Sequence, residues 1–291
     1  MAEGLALGAA LLFGLVHFFS GLMSRQGDVD SYAIALFGQF GGAVLILTGA
    51  LALPALGVDR PVLTASEVDL ASLGWGLLSG VGSGVGVACL YRGLASGQMS
   101  VVVPLSDVAG VALPVLVGVA VLGDRPHPLA WLGIAAALPA LWLVSRDGGG
   151  RAGGGAASGA RYGLLAGVGF AVQFLAISRV DPAAGLWPVL AARAGAVATV
   201  VPMALAAGAS LRPPRRLVLP ALVTGSAGSV AIVLYQLATL DQLVALATVL
   251  ASLYPAIPVV LAIVFLHERP TRVRLAGLAC TAVAIALIAL G

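Results

Sequence analysis

The chain has 291 residues, 60% of them hydrophobic and 9% charged, with a mean hydropathy of +1.08 and a formal net charge of +3. That is too little charge to clothe a soluble particle of this size, so the composition excludes a water-soluble fold and points to lipid. The basic residues are all arginine and fall almost entirely outside the apolar runs, which excludes a nucleic-acid-binding surface as the origin of the positive charge.

The first apolar run, 4–23, follows an acidic Glu3 instead of a basic leader, and a similar run returns from Tyr162, so it reads as a retained span. With Gly, Pro and charged clusters as boundaries, nine further segments approach the roughly 20 residues that cross a hydrocarbon core of about 30 Å. They are 31–53, 70–91, 99–122, 128–145, 161–179, 186–208, 217–238, 243–266 and 272–290. Cys89 and Cys280 sit inside these runs without metal-ligand spacing, so neither a disulfide framework, a metal site nor a cofactor is indicated. Small residues recur at helical spacing, as in Gly76, Gly80 and Gly84 or Gly38 and Gly42, which suits close helix contact in a bilayer.

Between the fifth and sixth runs lies RDGGGRAGGGAASGAR, whose glycines and lack of apolar periodicity read as a flexible tether over 146–160. The chain then repeats itself. YRGLASGQMSVVVPLSDVAGVALPVLVGVAVLGDRP from Tyr91 returns as YQLATLDQLVALATVLASLYPAIPVVLAIVFLHERP from Tyr235, with Pro114 and Pro258, Arg125 and Arg269, and Pro126 and Pro270 all 144 residues apart. The organisation that follows is a five-span repeat over 1–145, the tether, and a second five-span repeat over 161–291. Because five is odd, the second repeat enters the membrane from the opposite side. The expected fold is therefore all-α and integral to the membrane: ten transmembrane helices as two inverted five-helix repeats.

Polar residues inside the spans are the candidate site, because an ionisable group in hydrocarbon costs several kcal/mol unless it faces a cavity or a partner. Asp107 and Arg193 lie roughly 12 Å and 10 Å along the fourth and seventh spans, entered from opposite surfaces, a difference in depth that a long Arg side chain bridges. The expectation is that both border a central cavity. Arg193 would meet a substrate carboxylate or phosphate, or Asp107 itself, and Asp107 would carry a coupling proton; the alternative is a structural ion pair between them. His17 and Gln173 occupy matching places in the two halves, and Gln39 falls opposite Arg193 when QFGG is laid on RAGA. His17 is also a candidate titrating group. Tyr91, Tyr235, Gln236 and Tyr254 complete the candidate substrate-binding set as hydroxyl and amide donors, with Ser106 and Ser252 beside them. Asp124 and Glu268 close the fourth and ninth spans in GDRP and HERP, where a carboxylate before Arg-Pro reads as a helix terminator and the cap of the next helix. No nucleophile elbow, P-loop, HExxH or pair of catalytic carboxylates is present, so an enzyme is not expected.

The LYPAIPVVLAIVFLHERP segment, its counterpart LGDRP, the VVPLSD start of the fourth span and the paired five-helix repeats together resemble the EamA family of the drug/metabolite transporter superfamily. Arg193 stands where members often carry an Arg in the second helix of a repeat. The first half departs by having Gln39 there, Val111 replaces the Pro that Pro255 represents, and Phe13 and Phe170 stand in place of a common Trp. The resemblance implies a ten-helix transporter with a central cavity, exporting amino acids, other small metabolites or drugs across a bacterial inner (plasma) membrane, with both termini in the cytoplasm. The loop arginines argue the other way. Eleven against three lie on the side that the positive-inside rule assigns to the cytoplasm, which puts both termini outside. Partners are then a small-molecule substrate and the lipid bilayer, with proton coupling through Asp107; the competing readings are a non-transporting membrane scaffold and a membrane enzyme acting on lipid-linked substrates.

Overall fold

The computed structural model describes residues 2–117, 127–129, 131–133, 135–136, 139, 143, 155–177, 179–241, 256–267 and 271–290. Their regular elements are helices: α1 (Ala2–Ser24), α2 (Ser31–Ala55), α3 (Leu70–Ser96), α4 (Met99–Val117), α5 (Gly155–Ile177), α6 (Trp187–Ala206), α7 (Arg215–Asp241), α8 (Ala256–Phe265) and α9 (Arg272–Leu290). Six of them, α1, α2, α3, α5, α6 and α7, each contain a stretch long and apolar enough to cross a bilayer. The chain is an integral, multi-pass membrane protein. Its outward faces are apolar, with Leu11, Val44, Leu51, Leu70, Leu219 and Val223 exposed, while the buried set includes Gln39, Asp107 and Arg193. Polar groups inside and leucines outside is the arrangement hydrocarbon solvent demands.

Helix starts follow local chemistry. Asp30 caps α2 by accepting the Tyr32 N–H at 3.0 Å, and Asp69 caps α3 by accepting the Ser72 N–H at 2.9 Å. The Ser72 hydroxyl and backbone N–H together hold the Asp69 carboxyl below its ordinary carboxylate range. Pro202 and Pro220 lie inside helices without ending them, while Pro54 stands in the last turn of α2, which stops at Ala55. The stretch read as a tether differs from expectation: it is helical from Gly155 on, because Gly159 packs directly against Gly97 and gains a tertiary contact that its composition does not advertise. Residues 146–154, Asp124, Glu268 and Tyr254, and parts of the fifth and ninth expected spans, lie outside the described residues.

Helix directions can be read from close contacts. Gly76, Gly80 and Gly84 of α3 meet Pro188, Ala192 and Ala196 of α6 in the same order, so α3 and α6 run parallel. On the other side of the molecule, Gly38 and Gly42 of α2 meet Gly225 and Ser229 of α7, so α2 and α7 also run parallel. These are mutual glycine seams: a methyl group built on Gly80 would overlap the Ala192 carbonyl, and one on Gly225 would overlap the Gly38 carbonyl. By the same reading α3 and α5 are antiparallel, through Gly82 with Gly169 and Gly93 with Tyr162, and so are α1 and α7, through Gly8 with Leu234 and Gly228 with Val16. Finally, α2 and α6 are antiparallel, with Gln39 beside Arg193 and Gly49 beside Leu186. Helices of the first half therefore pack mainly on helices of the second, α3 on α5 and α6, and α7 on α1 and α2.

The two ends of this bundle are tied differently. At one end Arg25 donates to the carbonyls of Leu94 and Gly97, both at 2.9 Å, and Arg92 stacks on Tyr32 and Tyr162 at 5.1 and 5.6 Å. Arg216 reaches both carboxylate oxygens of Asp28 there. At the other end the loop after α2 bonds the segment before α6 through Val62 N–H to Pro182 O and Ser66 N–H to Ala183 O. Arg25, Arg92, Arg161, Arg212, Arg215 and Arg216 share the first end and Arg60 and Arg179 the second, the same split that the loop count gave. The Arg216–Asp28 pair is 62% and 54% exposed, so its net worth lies within the about 0–1 kcal/mol of surface ion pairs. Arg216→Ala is accordingly expected to move the melting temperature in detergent by no more than about 2 °C.

Candidate functional site

The buried polar cluster is assembled by helices that approach one another closely enough to leave room only for selected side chains. Arg193 projects from α6, is 8% exposed, and donates from Nη1 to Oε1 of Gln39 at 2.9 Å. Gln39 projects from α2 and is 4% exposed. The two meet where α2 and α6 cross, and the absence of a side chain at Gly42 provides the space: a methyl there would press on Arg193 Cδ and Ser229 Oγ. Tyr91 of α3 is buried within electrostatic reach of Arg193 and shares a side-chain hydrogen bond with Ser20 of α1. Five helices thus converge on Arg193: α1 through Ser20, α2 through Gln39, α3 through Tyr91, α6 itself, and α7 through Ser229.

The electrostatics are unusual. Among the described residues Arg193 forms no ion pair; its hydrogen bond goes to a neutral amide, and its buried Nε–H has no acceptor. A guanidinium carries five donors and no acceptor, so one bond to Gln39 leaves most of its capacity unused in a low-dielectric interior.

The remaining expected residues distribute around this cluster. Asp107 is 2% exposed on α4, next to Ser106, whose hydroxyl donates to its own helix at Val103 O over 2.7 Å. α4 packs on α5, while the Arg193 guanidinium is directed at α2, so the ion pair that similar depths allowed is not the arrangement Arg193 adopts. His17 is buried on α1 and stacks near Phe170 of α5, with ring centroids 6.3 Å apart and planes 24° apart. Gln173 is half-buried, and its carbonyl accepts the Ser79 hydroxyl at 3.1 Å across the α3–α5 contact. Tyr235 and Gln236 are half-buried near the end of α7. Tyr254 and Ser252 lie outside the described residues. The structure therefore brings Gln39, Tyr91 and Arg193 together, adds Ser20 and Ser229, and sets the His17–Phe170 stack on the α1–α5 side. Ser20 was detectable in principle, since it lies three residues after His17 on the same helical face.

Comparison with known proteins adds to this geometry. Residues 157–290 match the EamA-like transporter family, part of the drug/metabolite transporter superfamily. A solved structure titled only "Crystal structure of protein" aligns with a TM-score of 0.62 at 18% identity, over 98% of this chain and 94% of that one. That likeness shows the fold alone. The search of curated proteins yields no match.

Proposed function

We propose that this chain, whose residues 157–290 belong to the EamA-like transporter family, is a secondary carrier built from two inverted five-helix repeats that exports a small polar or amphipathic metabolite, such as an amino acid, by alternating access. The observation that carries the reading is the Gln39–Arg193 hydrogen bond. These residues are counterparts in the two repeats, and a residue that touches its own counterpart lies on the axis relating them. Three further features support the inversion. The counterpart helices α2 and α6 run antiparallel, the Gly80–Ala192 and Gly84–Ala196 contacts on one side have equivalents in Gly225–Gly38 and Ser229–Gly42 on the other, and α3 on α5 is matched by α7 on α1. An axis of this kind lies in the membrane plane, which places Arg193 near mid-depth, where a carrier holds its cargo.

Alternating access needs only that the two repeats rock against each other, and the glycine seams let helix backbones slide without side chains in the way. The substrate contacts we assign are Arg193, Gln39 and Tyr91, with His17, Asp107, Gln173, Tyr235, Gln236 and Tyr254 toward the rest of the cargo and Asp107 as the proton carrier. Substrate-dependent flux in proteoliposomes, measured with a mixture of radiolabelled amino acids, tests the reading; a folded protein that moves none of them under any imposed gradient is a scaffold instead. In the same assay an imposed pH gradient is expected to accelerate wild-type flux and to leave Asp107→Asn flux unchanged, because an amide cannot take up a proton. An Asp107→Asn variant as responsive to pH as wild type would remove Asp107 from that role.

A further inference from the structure

We infer that the unpaired edge of Arg193 is the docking point for one carboxylate of the ligand, so that the cargo is a carboxylic acid in its ionised form rather than a neutral molecule or a phosphate ester. The inference rests on the carrier reading for its biological purpose, but the binding event it describes does not require transport. Nη1 is held by Gln39, while Nε–H is buried with no acceptor. The edge facing away from Gln39 presents Nε–H and the neighbouring Nη–H side by side, the fork that matches the two oxygens of a carboxylate.

Charge balance selects the class. Arg193 is the one buried cation among the described residues and has no ion-pair partner among them, so when the buried Asp107 carries its proton the site has a single positive charge to offset. A carboxylate neutralises it; a phosphate monoester dianion would leave a net negative charge in the low-dielectric interior, and a neutral ligand would leave the cation uncompensated. Gln39 is a positioning residue here. It fixes the guanidinium plane by its bond to Nη1 and so aims the opposite edge. Because Gln39 and Arg193 sit at the crossing of counterpart helices, exchanging them puts the cation back at the same crossing from the other repeat.

The test is thermal unfolding of the purified full chain in detergent with sodium acetate as the probe, against acetamide, sodium chloride and inorganic phosphate at matched ionic strength. Acetate is expected to raise the melting temperature by about 2 °C or more at saturation, beyond any effect of chloride, acetamide or phosphate. Arg193→Gln is expected to lose that increment, Arg193→Lys to lose most of it because an ammonium cannot supply the fork, and the exchanged variant Gln39→Arg/Arg193→Gln to recover it. Equal stabilisation by acetate and chloride, a larger effect of phosphate than of acetate, or an intact acetate increment in Arg193→Lys overturns the inference. If Arg193→Gln does not fold, Arg193→Lys and the exchanged variant decide the matter by the same increments. Acetate-specific stabilisation without flux in liposomes leaves the anion site standing and removes the carrier; flux without acetate-specific stabilisation does the reverse.

Discussion

The double replacement Gln39→Leu/Arg193→Met is expected to give a folded protein, as stable as wild type or more so, whose transport is reduced by at least about thirtyfold. Exchanging a buried polar or ionic group for apolar side chains of similar volume is often neutral, or stabilising by about 1–4 kcal/mol, since the desolvation of the charge disappears with it. Hydrogen bonds between helices in lipid average only about 0.6 kcal/mol, so removing both partners of this one forfeits little. Arg193→Met alone is expected to fall below the double variant. It leaves the buried Gln39 amide oxygen without its donor, at a cost of about 1–3 kcal/mol. Losing a charge-assisted contact to cargo removes about 2–5 kcal/mol of binding, and each 1.4 kcal/mol is a factor of ten, hence the loss of flux. Melting temperature and flux measured on one preparation check both halves of the expectation. If Arg193 served only to fix helix packing, stability and transport would fall together.

The second large effect concerns the glycine seams. Gly80→Leu and Gly225→Leu are each expected to abolish accumulation of folded protein, and to do so to a similar degree because each faces a backbone carbonyl of the neighbouring helix. Even a methyl group at either position would overlap a backbone carbonyl of the facing helix, Ala192 in one case and Gly38 in the other. A single extra methylene in a well-packed interior costs about 1–3 kcal/mol, and here the obstacle is backbone that cannot rotate away. Gly74→Leu is the control. It lies on the same helix as Gly80, but a Cβ there meets nothing within 4 Å, so folded yield should match wild type on size-exclusion chromatography.

Much of this architecture could be read in the chain before any coordinates. The apolar runs mark the six helices long enough to span a bilayer, and laying QFGG on RAGA sets Gln39 opposite Arg193, which the structure brings into a 2.9 Å hydrogen bond. The candidate site was less legible, for reasons of geometry. Depth along a span follows from residue number, but rotation about the helix axis does not, so depth alone allows an Asp107–Arg193 pair whereas the Arg193 guanidinium turns to Gln39. Ser20 and Ser229 carry no sequence signal of their own, because a buried serine most often bonds its own helix, as Ser106 does to Val103. The start of α5 was misread because Gly-rich composition signals a tether locally, whereas the contact of Gly159 with Gly97 is a tertiary effect worth more than the helix propensity of glycine, about 1 kcal/mol, takes away.

A carrier of the proposed kind must open its polar centre to each side of the membrane in turn, and Ser20 is placed to report this. Ser20 is 1% exposed and bonded to Tyr91, and a thiol is its near isostere. With Cys89 and Cys280 replaced by Ser, Ser20→Cys should react with a membrane-impermeant thiol reagent both in right-side-out and in inside-out vesicles, and acetate should slow the reaction from either side. Labelling from one side only, or from neither, in every condition of gradient and ligand would contradict alternating access.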